Sequence, residues 1–205
     1  MKVVETTIVV SLEQPHDSRY FELLNNYFAA SERDGRASSI EEKKNMMAIK
    51  EEMAVLCNRN PRKLDALSEI VSKVRESREK AVLMTKSTVV ASELVAFLGE
   101  IFGERVILNI TQHDSVHEVN QIIDQFGKLP ESAVLLLTDS SNAGWDVTAA
   151  NHLIHYDYPQ KATDLMGRNN RISRQTSQHS KATLYYLITS GRIDEFEYLQ
   201  SKTFD

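Results

Sequence analysis

Residues 81–138, AVLMTKSTVVASELVAFLGEIFGERVILNITQHDSVHEVNQIIDQFGKLPESAVLLLT, decide the fold. Three short apolar runs stand out: AVLMT (81–85), RVILNI (105–110) and AVLLLT (133–138). They are continuous rather than alternating, as in strands covered on both faces. The two segments between them carry apolar residues at helical spacing. The first has Val90, Leu94, Phe97, Leu98 and Ile101; the second has Val116, Val119, Ile122, Ile123 and Phe126. Strand alternating with helix predicts an α/β fold with a parallel sheet between helical layers.

The pattern extends both ways. Downstream, HLIHY (152–156) and TLYYLI (183–188) read as strands, and a helix closes the chain over 191–201. Upstream, Pro61 suits a helix start, and Leu64, Leu67, Ile70, Val71 and Val74 recur at helical spacing. Before it come a β-branched strand (3–12), a helix bearing Tyr20, Leu23, Leu24, Tyr27 and Phe28, a polar connector (31–39), and a helix over 41–57. The expected organisation is a strand and helical appendage over residues 1–60 and an α/β domain over 61–205.

The bulk composition narrows the classes. A net charge of −5 excludes a protein that coats nucleic acid by charge alone, though not a local basic groove. Cys57 is the only cysteine, so no disulfide forms within the chain and a reducing compartment is expected. Neither a signal peptide nor an apolar run of bilayer length is visible. The expectation is a cytoplasmic or nucleoid-associated protein, not secreted and with no membrane partner.

In a parallel sheet ligands bind beyond the carboxyl ends of the strands. Five exits are polar: TKST (85–88), TQHDS (111–115), TDSSNAGWD (138–146), DYPQ (157–160) and TSGR (189–192). Helix capping accounts for any one of them; together, hydroxyls and free N–H groups on one edge suit phosphates. Gly144 permits a tight turn, and Asp146 either caps it or accepts hydrogen bonds from the vicinal hydroxyls of a ribose. Arg168, Arg171 and Arg174, spaced by three, are expected along one side of a helix.

Other chemistry fits less well. His113 and His117 have the i, i+4 spacing of a zinc site, but no third ligand is evident and Asp114 or Ser115 suits an N-cap. DEFE (194–197) is acidic, but lies within an amphipathic helix carrying Ile193, Phe196 and Leu199 instead of at a strand end. Asp139, Asp146 and Asp157 suggest a receiver domain, yet MKVVETT lacks the acidic pair that one needs after its first strand. A P-loop needs Gly, four residues, then Gly-Lys-Ser/Thr. The one Gly-Lys pair, Gly127-Lys128, is followed by Leu129.

TDSSNAGWDVTAANHLIHYDYPQKATDLMGRNNRISRQ resembles motifs five and six of the superfamily-two helicases and translocases. Thr138, Asp139, Gly144, Asp146, Tyr156, Asp157, Pro159, Arg168, Arg171 and Arg174 fall in the family's register. Gly167, Asn170 and Ser141-Asn142-Ala143 depart from it. NPRKLDALSEIVSKVRESREKAVLMT is similar to the entry into the second lobe of the Swi/Snf-type DNA translocases. TTIVVSLEQPHDSRYFELLNNYF resembles the segment joining their lobes, and TSGRIDEFEYL the helix that closes the second.

The resemblance implies a RecA-like, P-loop NTPase-type helicase C-terminal lobe. ATP would lie between it and an N-terminal RecA-like lobe, which holds most of the magnesium site. Arg171 and Arg174 would be arginine fingers, with Arg168 bracing the site and Gly144 and Asp146 at the nucleotide. Thr85, Lys86, Thr111, Gln112, Ser115 and Thr138 would contact the phosphate backbone of DNA. Without the P-loop lobe the chain would not hydrolyse ATP. Two further expectations stay open: a lobe of an RNA helicase, and a non-catalytic nucleic-acid or protein interaction module on the same fold.

Overall fold

The computed structural model describes residues 1–33, 40–103, 107–110, 115–139, 145–159, 161–173 and 179–202. The apolar runs are strands and the periodic segments helices, in the expected order. They are β1 (Lys2–Val10), α1 (His16–Arg33), α2 (Ile40–Asn58), α3 (Pro61–Glu76), β2 (Lys80–Thr85), α4 (Thr88–Phe102) and β3 (Ile107–Ile110). Then follow α5 (Val116–Lys128), β4 (Ala133–Thr138), β5 (His152–His155), α6 (Ala162–Asn169), β6 (Lys181–Thr189) and α7 (Ile193–Lys202).

The strands form one sheet in the order β1-β6-β5-β2-β4-β3, and every neighbouring pair is parallel. Parallel pairing needs crossover connections, and the helices supply them. Side chains alternate across the pleat, so β2 splits between two cores. Ala81 and Leu83 meet Leu67, Ile70 and Val74 of α3 and Leu94 and Leu98 of α4. Val82 and Met84 meet Val119 and Phe126 of α5 and Leu165 of α6 on the other face. With both faces covered, β2 and β4 bury nearly every residue, which is why their sequences run apolar without alternation.

β1 is one of the two edge strands, and its alternating exposure reflects one uncovered face. The helices after it have a small core of their own: Leu12, Tyr20, Leu23, Met53 and Cys57. Ile193, at the start of α7, packs against that core, and its N–H donates to the Tyr20 hydroxyl at 2.8 Å. The helical pair is thereby fixed near the carboxyl edge of the sheet.

Chain order reverses around β2, which lies between β4 and β5. Thr85 is in register with Thr138, and Met84 with both Leu137 and His155. The exits of β2, β4 and β5 therefore open side by side at the switch point, where a crevice is expected.

Candidate functional site

Asp157 sits at the centre of this edge. It lies two residues past the end of β5 and has no solvent exposure. A buried carboxylate is tolerated only when its lone pairs are filled, and here they are. Oδ2 accepts from the Thr85 hydroxyl at 2.6 Å and from Asn58 Nδ2 at 3.1 Å. Oδ1 accepts from the Lys86 N–H at 2.8 Å and from Arg168 Nη2 at 3.4 Å. One carboxylate thus joins α2, the exit of β2 and α6.

Arg168 continues the network. Its guanidinium, 2% exposed, forks onto Asp139 through Nε at 2.7 Å and Nη2 at 2.6 Å, while Nη1 donates to the Asp157 carbonyl at 2.5 Å. Burial opposes its charge, but the bonds and charges of Asp139 and Asp157 together outweigh that and raise its pKa above the ordinary arginine value. Arg168 is therefore fully committed inside the protein. It braces the exit of β4 against that of β5 from a buried position.

Arg171 lies past the end of α6. The expected single helical face over Arg168, Arg171 and Arg174 does not form, because α6 stops at Asn169. Two consecutive asparagines, poor helix formers, break it. Asn170 caps the helix, and the Ser173 hydroxyl takes the Asn169 carbonyl at 2.8 Å. The chain then turns back. The Arg171 N–H donates to the Arg168 carbonyl at 3.0 Å, and the Arg171 carbonyl accepts from the Val147 N–H at 2.9 Å. The segment is thus hydrogen-bonded to the residue next to Asp146, whose own side chain is exposed. Gly144 and Arg174 lie outside the described residues, as do Thr111 and Gln112 and the His113 half of the histidine pair.

The remaining expected phosphate contacts differ in availability. The Thr85 hydroxyl is buried and donated to Asp157, and Thr138 is buried as well. Neither side chain faces solvent, so the expected hydroxyl contacts do not fit the geometry. Lys86 is partly exposed, yet its ammonium donates to both oxygens of Glu197, at 2.7 and 2.6 Å. Burial alone would lower its pKa; the charge and hydrogen bonds of Glu197, with the charges of Asp157 and Asp194, together outweigh it and hold the pKa above the ordinary lysine value. Ser115 is exposed and N-caps α5 in a capping box, its N–H donating to Glu118 at 2.7 Å.

The family described as the helicase conserved C-terminal domain matches residues 62–176. The chain belongs to that family. Among solved structures, this helicase C-terminal lobe superposes on the C-terminal part of the Fun30 ATPase domain with a TM-score of 0.80, at 14% identity, over 98% of this chain and 89% of that one. It superposes on a Sulfolobus solfataricus SWI2/SNF2 ATPase core in complex with dsDNA with a TM-score of 0.76, at 17% identity, over 94% of this chain and 42% of the other. Its fold is thus the RecA-like one of SWI2/SNF2 C-terminal lobes. YwqA of Bacillus subtilis (strain 168), provisionally named an ATP-dependent helicase/translocase, is 28% identical over 151 residues. The ATP-dependent RNA helicase DBP2 of Gibberella zeae is 30% identical over 124 residues. The lobe covers 72% of itself in the first match and 60% in the second, but only 16% and 22% of those proteins' lengths.

In this lobe α7 is inside out relative to its sequence. Phe196 and Leu199, expected to mark its apolar stripe, are 64% and 55% exposed, whereas Asp194 and Glu197 are buried. The reason lies in two lysines that the helix must neutralise. Lys63, with no exposed surface, donates to Asp194 Oδ2 at 2.5 Å and to Asn58 Oδ1 at 3.1 Å, and its ammonium lies 4.8 Å from the centre of the Tyr156 ring. Lys86 takes Glu197. The acidic run is thus a pair of internal counter-ions. Asn58, Lys63, Asp194 and Glu197 escaped the sequence reading. One signal was present: Lys63 lies four residues before Leu67 and seven before Ile70, on the buried stripe of α3. A lysine there requires an anion facing it.

Proposed function

We propose that this chain is the second RecA-like lobe of an ATP-dependent nucleic-acid motor of the Swi/Snf DNA-translocase kind. The observation that carries the reading is the Val147 N–H to Arg171 carbonyl bond, 2.9 Å, which keeps the arginine segment beside Asp146 at the switch-point edge. Arg171 and Arg174 act as fingers toward a triphosphate, and Arg168 braces the site through Asp139 and Asp157. Planar, permanently charged guanidinium groups suit a transition state whose charge spreads over phosphoryl oxygens. Asp146 accepts from the ribose hydroxyls, and Gly144 is assigned to the nucleotide from the sequence motif. ATP supplies the phosphoryl group whose transfer drives opening and closing of the cleft. The chain's 205 residues hold no P-loop, so the phosphate cradle and the magnesium ligands come from a companion N-terminal lobe.

The nucleic-acid grip draws Lys86 and Ser115 from the same edge, with Thr85 and Thr138 shaping it from within; Thr111 and Gln112 join it on the sequence motif. Such contacts position a strand without reading its bases. The DBP2 similarity favours a second reading, in which the strand is RNA.

The test uses this chain joined to its P-loop lobe. Hydrolysis is expected to be DNA-stimulated, near background for this chain alone, and lowered about 10³-fold or more by Arg171→Ala or Arg174→Ala. Wild-type rates in both variants would overturn the finger assignment. Stimulation by RNA and not by DNA would select the second reading.

A further inference from the structure

The amino edge of the sheet, a strand's length from the switch point and so roughly 20 Å away, carries a pocket that the motor does not use. Its volume is about 350 Å³. Val74, Phe102, Ile107 and Val134 give it an apolar floor. Arg75 and Arg78 stand on its rim, both exposed. Neither has a carboxylate within ion-pair distance among the described residues, although Glu131 also borders the pocket. Arg75 lies against Phe102, its guanidinium carbon 5.9 Å from the ring centre.

Arg78 is the telling residue. It is the one described non-glycine residue with positive φ, at 56°. It occupies the left-handed position that ends α3: its N–H donates to the Arg75 carbonyl at 3.1 Å, and the next N–H, of Glu79, donates to the Val74 carbonyl at 3.0 Å. Glycine is the favoured residue there, because any Cβ strains the backbone. The helix end does not need the guanidinium either. Hydroxyls of Ser77 and Ser132 already donate to the Lys73, Val74 and Arg75 carbonyls, at 2.9 to 3.3 Å. Arg75 has an ordinary role at a helix C-terminus; Arg78 has none. The fold thus holds a cation in a position that disfavours it, at the mouth of an apolar pocket.

We infer that this pocket docks a protein partner through an extended acidic segment carrying one large apolar side chain. The side chain fills the floor, and flanking carboxylates take the unpaired guanidinium forks. Arg-to-carboxylate pairs are bidentate and directional, and an aromatic anchor ringed by arginine is the usual make-up of an energetic centre in an interface. Among the described residues, two cations against one anion at the rim give the complementarity its sign. The inference is independent of ATP and nucleic acid.

The probe is a fluorescein-labelled peptide, Asp-Glu-Trp-Asp-Glu, titrated with the chain and followed by anisotropy. Saturable binding is expected, weakened about 10-fold or more by Arg78→Gly, roughly 1.4 kcal/mol. Because glycine suits the left-handed position, Arg78→Gly should melt no earlier than wild type, so lost binding cannot be laid to lost folding. Changing the peptide's tryptophan to alanine, or its acids to lysines, should also abolish binding. Equal affinity of wild type and Arg78→Gly would overturn the inference, as would no binding at millimolar chain or binding of the tryptophan-free peptide alone.

Discussion

His155, at the end of β5, is fully buried and stacks on Tyr186 with ring centres 4.9 Å apart and planes 3° from parallel. Its Nε2 lies 2.8 Å from Asn169 Oδ1, next to the helix end that carries Arg168. Burial, and then the charge of Arg168, push its pKa down to about 3. An unfolded histidine titrates near 6.5. Between those values the unfolded chain binds a proton that the folded chain refuses, so stability is complete above about pH 6.5 and declines as pH falls toward 3. The limiting slope is about 1.4 kcal/mol per pH unit. His155→Gln should lower the difference in urea midpoint between pH 7 and pH 5; an unchanged difference would place the proton elsewhere. Residues of this kind were half legible. That a histidine ends an apolar strand is visible in HLIH, but its stacking partner is 31 positions away.

At the scale of elements, the strands and helices followed from periodicity, whereas the end of α6 and the buried face of α7 did not. The arginine triplet suggested a continuous helix, but two asparagines end α6 after the first arginine, so the Arg168 guanidinium is buried while the Arg171 main chain bonds to Val147 instead of continuing the helix. The α7 pattern predicted Phe196 and Leu199 facing inward, yet burial followed its acids because Lys63 and Lys86 await them. Pattern reading assumes that apolar groups win the interior; a buried ammonium costs several kcal/mol unpaired, enough to reverse that for a short helix. The pairing also bears on nucleic-acid binding. A phosphate reaching Lys86 must displace Glu197, so Glu197→Gln should raise DNA affinity several-fold in the two-lobe protein. Lys86→Ala should reduce the salt slope by about one. A Glu197→Gln variant no tighter than wild type would leave Lys86 as an internal strut.

For the whole molecule, the parallel sheet and its chemical edge were readable because apolar strands and polar exits alternate along the chain. Sheet order was not: nothing local tells β2 that β4 and β5 will flank it. The same separation hid the Asp157 network, whose members Asn58, Thr85 and Arg168 come from three stretches of sequence. No helix among the described residues is long and apolar enough to cross a membrane.

The link from Val147 to Arg171 runs from main chain to main chain, so it is indifferent to side-chain identity. Mutational drift can strip the cation from position 171 and leave the loop's path untouched. Only an imino acid at 147 has no hydrogen to give. Val147→Ala should therefore keep most hydrolysis in the joined protein, while Val147→Pro should silence it with every arginine intact. If both variants turned over ATP alike, the loop's course would be held by something other than that single amide.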